Sequence, residues 1–469
     1  MSIGQSEWRL GSNSFVRKYD DIGIIYDQVT QKQLVFDHNG MLFLSQLARA
    51  YRSVNAIADH LLREYNDVDI NQLKSDVHAF CVQLYTHGFL ETTTKPKQSP
   101  VSQAINDGSR SLVNDCDLVE ASRYLKDYFQ KKPRIFSFQY AVTNQCNEHC
   151  IHCYVDRQTG PTLSLARSLE VIDELSAMGT LGITFTGGEA LSFPGLASLI
   201  ARARENDFVI SLLSNLTLMT DALFEILTSS NLQQVQASIY SMDPVVHDSI
   251  TRLDGSHKRT LSVLERLRNA GVRVNIGCPV LRSNLGSFHS VLAYGRANDI
   301  AVRPDLVIIA KESGDSSNLN QRISITDIEP AIRTILAEAS PQPPIAEGGQ
   351  KTAPRQPIYD CGIGSYKLSM NANGDILPCP GFGLVVGNVA STQIKDIWDN
   401  STELKKLRSC IRIKMYPQCQ SCEASDYCLF CLAKFHNECN WDQGVIPEYF
   451  CEVARMNKKA VEYSGMPGN

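Results

Sequence analysis

The sequence predicts an α/β protein in which a partial (β/α)6 barrel stands between a small N-terminal winged-helix domain and a C-terminal cysteine-rich domain. First, strand-like and helical segments alternate through residues 134–310. Second, two strand-like stretches and three short amphipathic patterns lie within residues 1–92. Third, most of the 15 cysteines fall into two groups, within 146–153 and 361–451. The first two observations indicate the domain types, and the third indicates metal chemistry.

Bulk properties exclude several classes of protein. A chain of 469 residues is long enough for several domains, and a net charge of -5 does not suggest nucleic-acid binding. The N-terminus, MSIGQSEWRLGSNSF, lacks the apolar segment of a signal peptide, and no apolar run is long enough to span a membrane. We therefore expect a cytoplasmic protein without nucleic-acid or membrane partners.

The N-terminal region, residues 1–92, predicts a winged-helix domain. The stretch IGIIYDQVTQKQLVFD alternates as two short strands do. Three amphipathic helical patterns follow, starting near Met41, Val54 and Leu73. Residues 93–133 begin with the polar stretch TTTKPKQSPVSQ, which predicts a linker.

Residues 134–310 predict parallel βα units. Strand-like segments such as IFSFQYAVT and GITFTG are separated by helical patterns such as LARSLEVIDELSAMG. Six such units fit a partial barrel, whose active site is expected at the carboxyl ends of the strands. Residues 311–360 are irregular and Pro-rich, and we expect them to bridge to the cysteine-rich domain at 361–456.

Three cysteines follow directly on the first barrel strand. Cys146, Cys150 and Cys153 form the pattern C-x3-C-x2-C. In the reducing cytosol such a group indicates metal binding, and cysteine thiolates are the ligands of iron–sulfur clusters. Three thiolates would leave one iron with an open position, as catalytic metal sites do. The alternative is a structural zinc ion with His149 or His152 as fourth ligand.

Further polar groups follow the next strands. The stretch FTGGEAL contains Gly187, Gly188 and Glu189 at the end of the second strand. Glycines allow a close approach of the backbone, and a carboxylate can pair with an ammonium group. Ser214 and Asn215 lie at the end of the third strand, Ser238 lies at the end of the fourth, and Arg252 follows in HDSITRLDG. The alternative for these four is turn capping or a surface ion pair.

The three cysteines, the ring of His152 before the last of them, and the GGE sequence in this order resemble the radical S-adenosylmethionine (SAM) superfamily. The resemblance implies that the cysteines hold a [4Fe–4S] cluster whose fourth iron binds SAM. It implies that a 5′-deoxyadenosyl radical then abstracts a hydrogen atom from an unactivated carbon. Glu189 and its two glycines would hold the methionyl amino group, and Ser214, Asn215, Ser238 and Arg252 the ribose and carboxylate. The stretch from Cys278 to Val280 would lie near the adenine.

The C-terminal cysteines form two further patterns. CGIGSYKLSMNANGDILPC contains Cys361, Gly374 and Cys379, and NANG predicts a tight turn that joins two strands. CQSCEASDYCLFC contains Cys419, Cys422, Cys428 and Cys431, and Cys439 and Cys451 follow. These patterns resemble the SPASM domain, which holds two auxiliary iron–sulfur clusters, although the last interval is x2 here where x3 is usual. Two zinc ribbons are the alternative.

The resemblance also implies the ligand sets, for a total of three [4Fe–4S] clusters. Auxiliary cluster one would be held by Cys361, Cys379 and Cys431. Auxiliary cluster two would be held by Cys419, Cys422, Cys428 and Cys451. Cys410 or Cys439 could complete cluster one, or its open iron could take a substrate thiolate.

Residues 14–92 resemble the RiPP recognition element, a winged-helix domain that binds leader peptides. The stretches that carry this resemblance are QLVFDHNGMLFLSQL, VNAIADHLLREYN and KSDVHAFCVQLYTHGFLE. An extended leader would add a strand to the sheet edge and pack against the third helix. A DNA-binding winged helix is the alternative, although KSDVHAFCVQLYTHGF carries no basic stripe.

Together the three regions resemble peptide maturases, including sactipeptide and ranthipeptide synthases. The resemblance implies a thioether crosslink between a cysteine sulfur and a carbon of a precursor peptide, with flavodoxin or ferredoxin as electron donor. Carbon–carbon or ether crosslinking and epimerisation are alternatives, the last with Cys278 or Cys439 as a hydrogen donor. A non-catalytic peptide-binding or electron-carrying protein is the alternative from another class.

Overall fold

The computed structural model describes residues 6–63, 68–93, 118–156, 162–338, 362–409, 416–428, 430–439 and 444–464. The chain divides into two compact units. The first is Met1–Arg134 with the short segments Gly179–Leu181 and Asp207–Val209, and the second contains the remaining residues. Within the described ranges, no helix has both the length and the apolar character needed to cross a bilayer.

The described part of the first unit contains two three-stranded sheets and four helices. Its elements are β1 (Glu7–Leu10), β2 (Ser14–Lys18), β3 (Gly23–Asp27), β4 (Gln33–Phe36), α1 (His38–Leu44), β5 (Arg52–Ser53), α2 (Val54–Leu61), α3 (Ile70–Thr86), β6 (Leu90–Thr92) and α4 (Leu118–Lys131). The sheets have the orders β2-β3-β4 and β5-β1-β6. Asp37, Ser53 and Asp69 cap α1, α2 and α3 with side-chain oxygens that accept backbone N–H groups. The two predicted strands and three predicted helices are confirmed.

Helix α4 corrects the prediction of a linker over residues 93–133. Its Ala121, Leu125 and Phe129 are buried at i, i+4 and i+8, as in an amphipathic helix. The Phe129 ring lies 5.2 Å from the Tyr19 ring. The linker prediction is therefore wrong for Leu118–Lys131, because the apolar positions of this helix are spread over a mainly polar segment. Residues 94–117 lie outside the described part of the chain.

The second unit is built on parallel βα units. Its first twelve elements are β7 (Ser137–Ala141), α5 (Leu165–Ala177), β8 (Gly182–Thr186), α6 (Leu196–Glu205), β9 (Val209–Leu213), α7 (Asp221–Ser229), β10 (Gln234–Ser238), α8 (Pro244–Thr251), α9 (Ser256–Asn269), β11 (Val274–Pro279), α10 (His289–Ala297) and β12 (Ala301–Asp305). The sheet order β12-β11-β10-β9-β8-β7 follows the chain order. Strand β7 pairs in parallel with β8, and β9 to β12 pair in parallel in succession. The predicted six-unit partial barrel is confirmed.

The two faces of this sheet differ in polarity. One face packs on the helices, because the Tyr140 hydroxyl lies 2.7 Å from the Ser168 hydroxyl of α5. On the same face, Val302 of β12 lies directly against Gly295 of α10. Alternate residues point to the opposite side, which we call the lumen face. Its polar or charged members include Gln139, Thr184, Ser211, Gln236, Ser238, Asn275 and Arg303.

The cysteine-rich region continues the same sheet. Its elements and the helix before it are α11 (Ile325–Glu338), β13 (Lys367–Met370), β14 (Asp375–Leu377), β15 (Gly387–Asn388), α12 (Ile394–Asn400), α13 (Thr402–Ser409), α14 (Leu432–Cys439) and α15 (Glu448–Ser464). Strand β13 pairs in parallel with β7 and antiparallel with β14. Gly374, at φ +86°, allows the tight turn between β13 and β14, so the predicted hairpin is confirmed. The bridging region was expected to be irregular, and α11 corrects that expectation.

Candidate active site

The loop of three cysteines is held by backbone hydrogen bonds to the barrel. It leaves the end of β7 and runs past the C-terminal end of α8. The His149 N–H donates to the Thr251 carbonyl at 2.8 Å, and the Ile151 N–H donates to the Ile250 carbonyl at 3.0 Å. Cys146 and Cys150 are half-buried, and Cys153 is exposed. The loop is therefore fixed at the carboxyl ends of the strands, where the sequence predicts the active site.

Gly187 and Gly188 let the GGE loop lie directly against the cysteine loop. The Gly188 N–H donates to the Thr143 carbonyl at 2.7 Å, and the Glu189 N–H donates to the Gln145 carbonyl at 2.8 Å. A Cβ on Gly187 would lie 2.5 Å from the Thr143 oxygen, and one on Gly188 would lie 2.4 Å from the Gln145 oxygen. The close approach predicted from the sequence is present, and its partner in the structure is the backbone of the cysteine loop.

Glu189 is a buried carboxylate with three hydrogen-bond donors. Its Oε1 accepts from the Ser214 hydroxyl at 2.6 Å and the Leu191 N–H at 2.8 Å, and its Oε2 accepts from the Asn215 N–H at 2.6 Å. Burial raises the pKa of Glu189, and these three hydrogen bonds act to lower it. A carboxylate has about four acceptor positions, so one remains for a further donor such as an ammonium group.

The other predicted contact residues lie around the same loops. Asn215 Nδ2 donates to Asn147 Oδ1 at 3.0 Å and lies 4.0 Å from the Cys146 sulfur. Ser214 and Asn215 therefore contact Glu189 and the cysteine loop. Arg252 is exposed at the C-cap of α8, one residue after Thr251.

Tyr240 is a site residue that the sequence reasoning missed. Its hydroxyl lies 3.9 Å from the Cys150 sulfur and forms a hydrogen bond with the Ser238 side chain. Its ring is 5.1 Å from the ring of His152. Its place two residues after Ser238 in QASIYSMD was the available signal.

The donor set fits an iron–sulfur cluster. Burial raises the pKa of the Cys146 thiol to about 11, so a thiolate there needs a cationic partner such as iron. In the described ranges, no three His, Cys, Asp or Glu side chains are grouped to hold a single metal ion. That finding gives no support to the zinc alternative with His149 or His152. A cluster differs because each thiolate binds a separate iron.

Four C-terminal cysteines line one cavity. Cys419, Cys422, Cys428 and Cys451 line a small, partly open cavity of about 30 Å³. Its apolar lining includes Phe430, Phe435, Ile446, Phe450 and Ala454. The four cysteines are the set that the resemblance assigned to auxiliary cluster two. No single residue of the sequence predicts the aromatic lining, because it comes from three separate segments.

The remaining cysteines have varied surroundings. Cys361 and Cys410 lie outside the described residues. Burial raises the pKa of the Tyr154 phenol, and the nearby side chains of Glu312, Cys153 and Cys379 raise it further when they are ionised. The Cys439 thiol donates to the Phe435 and Val445 carbonyls at 3.2 and 3.4 Å.

Cys278 is fully buried on the helix-facing side of the sheet. This position removes Cys278 as a hydrogen donor to a substrate in the barrel.

Comparisons with protein families agree with this architecture. Residues 140–293 match the radical SAM superfamily, residues 361–423 an iron–sulfur cluster-binding (SPASM) domain, and residues 23–90 coenzyme PQQ synthesis protein D (PqqD). The chain carries a radical SAM domain between an N-terminal PqqD-like domain, the fold of the RiPP recognition element, and a C-terminal SPASM domain. These domains imply SAM and iron–sulfur clusters as cofactors.

Three curated relatives illustrate the range of similar proteins. The AdoMet-dependent heme synthase of Methanosarcina barkeri is 23% identical over 64% of this chain and 92% of its own length. The subtilosin biosynthesis protein AlbA of Bacillus subtilis is 24% identical over 64% of this chain and 70% of its own. The PqqA peptide cyclase of Gluconobacter oxydans is 22% identical over 61% of this chain and 82% of its own.

A solved structure is similar over nearly the whole chain. Streptococcus suis SuiB bound to its precursor peptide SuiA superposes with a TM-score of 0.62 at 15% identity. The match covers 93% of this chain and 98% of SuiB. At this identity the similarity confirms the fold, including the N-terminal and C-terminal domains.

Proposed function

We propose that this chain modifies a ribosomally made precursor peptide by forming a thioether between a cysteine sulfur and a carbon atom. The observation that carries the proposal is the PqqD-like domain joined to the barrel in one chain. The structural match to SuiB extends over 93% of the chain and so includes this N-terminal domain. Of the similar proteins, AlbA is named for the biosynthesis of the bacteriocin subtilosin, and SuiB is bound to a precursor peptide in its solved structure.

The site residues have separate roles in this proposal. Cys146, Cys150 and Cys153 would hold a [4Fe–4S] cluster, and Glu189 would accept a hydrogen bond from the amino group of SAM. When bound, SAM and the cluster supply the abstraction of a hydrogen atom from an unactivated carbon. Ser214 holds the Glu189 carboxylate in place through its 2.6 Å hydrogen bond. Ser238 and Arg252 are proposed to contact the ribose and carboxylate of SAM.

The flanking domains would handle the peptide and its sulfur. The sheet and third helix of the first unit are proposed to bind the leader by strand addition. The SPASM domain would hold two auxiliary clusters, with Cys361, Cys379 and Cys431 in one and the cavity cysteines in the other. An open iron of the first could bind the substrate thiolate. A flavodoxin or ferredoxin is the proposed electron donor.

Coexpression with the precursor peptide encoded beside the gene tests the proposal. A thioether removes two hydrogen atoms per crosslink and makes the cysteine resistant to alkylation, and both are read by mass spectrometry. Loss of two hydrogens with all cysteines still alkylated would indicate carbon–carbon or ether bonds. An unchanged mass with D-residues after hydrolysis would indicate epimerisation.

Tetrapyrrole modification is the second candidate, because three of the curated relatives are named as heme synthases. A haem precursor incubated anaerobically with the enzyme, SAM and a reductant tests it. We expect the tetrapyrrole spectrum to remain unchanged. Formation of haem would favour this candidate over the peptide.

A further inference from the structure

The lumen face of the barrel carries both paired and unpaired side-chain amides. Asn275 of β11 is almost completely buried and donates to Gln234 of β10, so each of these two amides has a partner. Gln236 of β10 lies beside Asn275 in the strand register. Gln236 and Gln139 of β7 are each half-buried at the centre of their strand.

The amides of Gln139 and Gln236 have no hydrogen-bond partner among the described residues. Neither Gln139 nor Gln236 takes part in a side-chain hydrogen bond, and neither has its polar atoms closed off from solvent. Gly277 beside Gln236 adds to the open space, because a Cβ there would lie 3.1 Å from Gln236 Nε2. Buried polar groups normally have partners, as Asn275 and Gln234 do. The two open amides in the same concavity are available to a ligand that enters it.

Their position places that ligand beneath the mouth of the barrel. Gln139 and Gln236 each lie two residues before the end of their strand, which is about 6.6 Å along a strand. Strands β7 and β10 are three steps apart in the sheet, or roughly 14 Å around its curve. A molecule extended across the lumen can therefore reach both amides while it passes under Glu189 and Tyr240.

We propose that Gln139 and Gln236 bind the backbone of the substrate peptide inside the barrel, an inference that rests on the proposed function. A primary amide offers N–H donors and a C=O acceptor, the same groups as a peptide bond. Such hydrogen bonds recognise the backbone of the peptide and not its side chains, so they hold a segment without selecting its sequence. The amides thereby set the depth at which a peptide carbon lies near the site of hydrogen abstraction.

Substitution by methionine tests the role of each amide. Gln139→Met and Gln236→Met keep the shape of the side chain and remove its hydrogen bonds. We expect the Kd of the precursor peptide encoded beside the gene to rise about 3- to 10-fold for each, the effect of losing one hydrogen bond. Gln393→Met, on an exposed glutamine before α12, is the matched control and should leave the Kd unchanged. Unchanged Kd values in both lumen variants would overturn the inference.

A backbone-modified peptide provides a second test that needs no folding control. Replacing single amide bonds of the core peptide by esters removes one N–H at a time without changing a side chain. At the residues bound by Gln236, the ester should weaken binding to the wild type and have little further effect on Gln236→Met. Equal losses on both enzymes at every position would contradict the contact. A peptide that binds and loses two hydrogens normally in all variants would refute this inference and leave the proposed function intact.

Discussion

The cysteine loop at the barrel mouth and the cysteine cavity near the C-terminus are built differently. The loop is fixed by backbone hydrogen bonds to the ends of β7, β8 and α8, and its thiols remain partly accessible. The cavity is formed by Cys419, Cys422 and Cys428 of one short segment together with Cys451 of α15, and its lining is aromatic and aliphatic. Its thiols are also partly accessible. The two sites therefore differ in how they are built, because backbone hydrogen bonds hold the loop and apolar side chains line the cavity.

This difference indicates which kind of chemistry each site can support. Three thiolates on an accessible loop leave room for a small molecule at a fourth position, with Glu189 fixed beside it. Four thiolates offer one ligand for each iron of a cluster, and the apolar side chains around them suit a site of electron transfer. We therefore expect substitutions in the loop to abolish SAM cleavage, and substitutions in the cavity to affect the later steps.

The largest effect is expected at the loop. Cys146→Ala removes one of three iron ligands, and SAM cleavage should fall by more than about 100-fold, because even residues behind the ligands contribute 10–100-fold at metal sites. The measurement is 5′-deoxyadenosine formed anaerobically by reconstituted enzyme. The control Cys278→Ala removes a buried thiol on the helix side of the sheet and should retain its iron. Normal SAM cleavage by Cys146→Ala would refute the assignment.

Cys451→Ala is the corresponding change in the cavity. It should lower the iron content by about four per chain, the size of one cluster, and abolish crosslinked peptide. SAM cleavage should persist, because the barrel residues are untouched. Iron analysis and product mass spectrometry on the same preparation measure both effects. A parallel loss of SAM cleavage and crosslinking in this variant would contradict separate roles for the loop and the cavity.

An intermediate effect is expected at Ser214, whose hydroxyl donates to the Glu189 carboxylate. Ser214→Ala removes the 2.6 Å hydrogen bond to the buried carboxylate, which we expect to weaken SAM binding about tenfold. Equilibrium binding of SAM to the reconstituted enzyme measures this loss. Ser192→Ala is the matched control, because that hydroxyl donates to the backbone carbonyl of Glu189 and not to its carboxylate. Equal affinities in the two variants would mean that the carboxylate does not hold SAM.

The smallest effect concerns Glu312, which lies between the end of the cysteine loop and the segment after Cys379. Its N–H donates to the Tyr154 carbonyl at 3.2 Å, and its carboxylate accepts from the Gly381 N–H. Burial raises the pKa of Glu312 to about 7, the Gly381 hydrogen bond lowers it, and nearby Asp156 raises it. The folded state then binds more protons than the unfolded state between about pH 4.5 and 7, so the free energy of unfolding falls as pH rises through this range.

Glu312→Gln should remove that dependence. The variant should be more stable than the wild type at pH 8, by no more than about 1 kcal/mol because Glu312 is partly exposed, and show no such gain at pH 4. Urea unfolding midpoints at the two pH values measure the difference. Glu225→Gln, at an exposed position on α7, is the control. A gain at pH 4 equal to that at pH 8 would contradict the raised pKa.

The sequence predicted the features that local patterns determine. Alternation along β7, β8 and β10, and the order of Cys146, Glu189 and Ser238, were enough to place the barrel and its mouth. The helix α4 was missed, because its apolar positions are spread over a mainly polar segment. The partners of Gly187 and Gly188 and the lining around Cys451 were also missed. These contacts join residues far apart in the chain, so no local pattern contains them.

Hydrogen transfer from the peptide to SAM tests the central claim most directly. The precursor peptide is labelled with deuterium on its carbon-bound positions and incubated anaerobically with the enzyme, SAM and a reductant. The account predicts deuterium in the 5′-deoxyadenosine, together with a peptide that has lost two hydrogens and one alkylatable cysteine. Unlabelled 5′-deoxyadenosine alongside an unchanged peptide that is bound by the enzyme would contradict it.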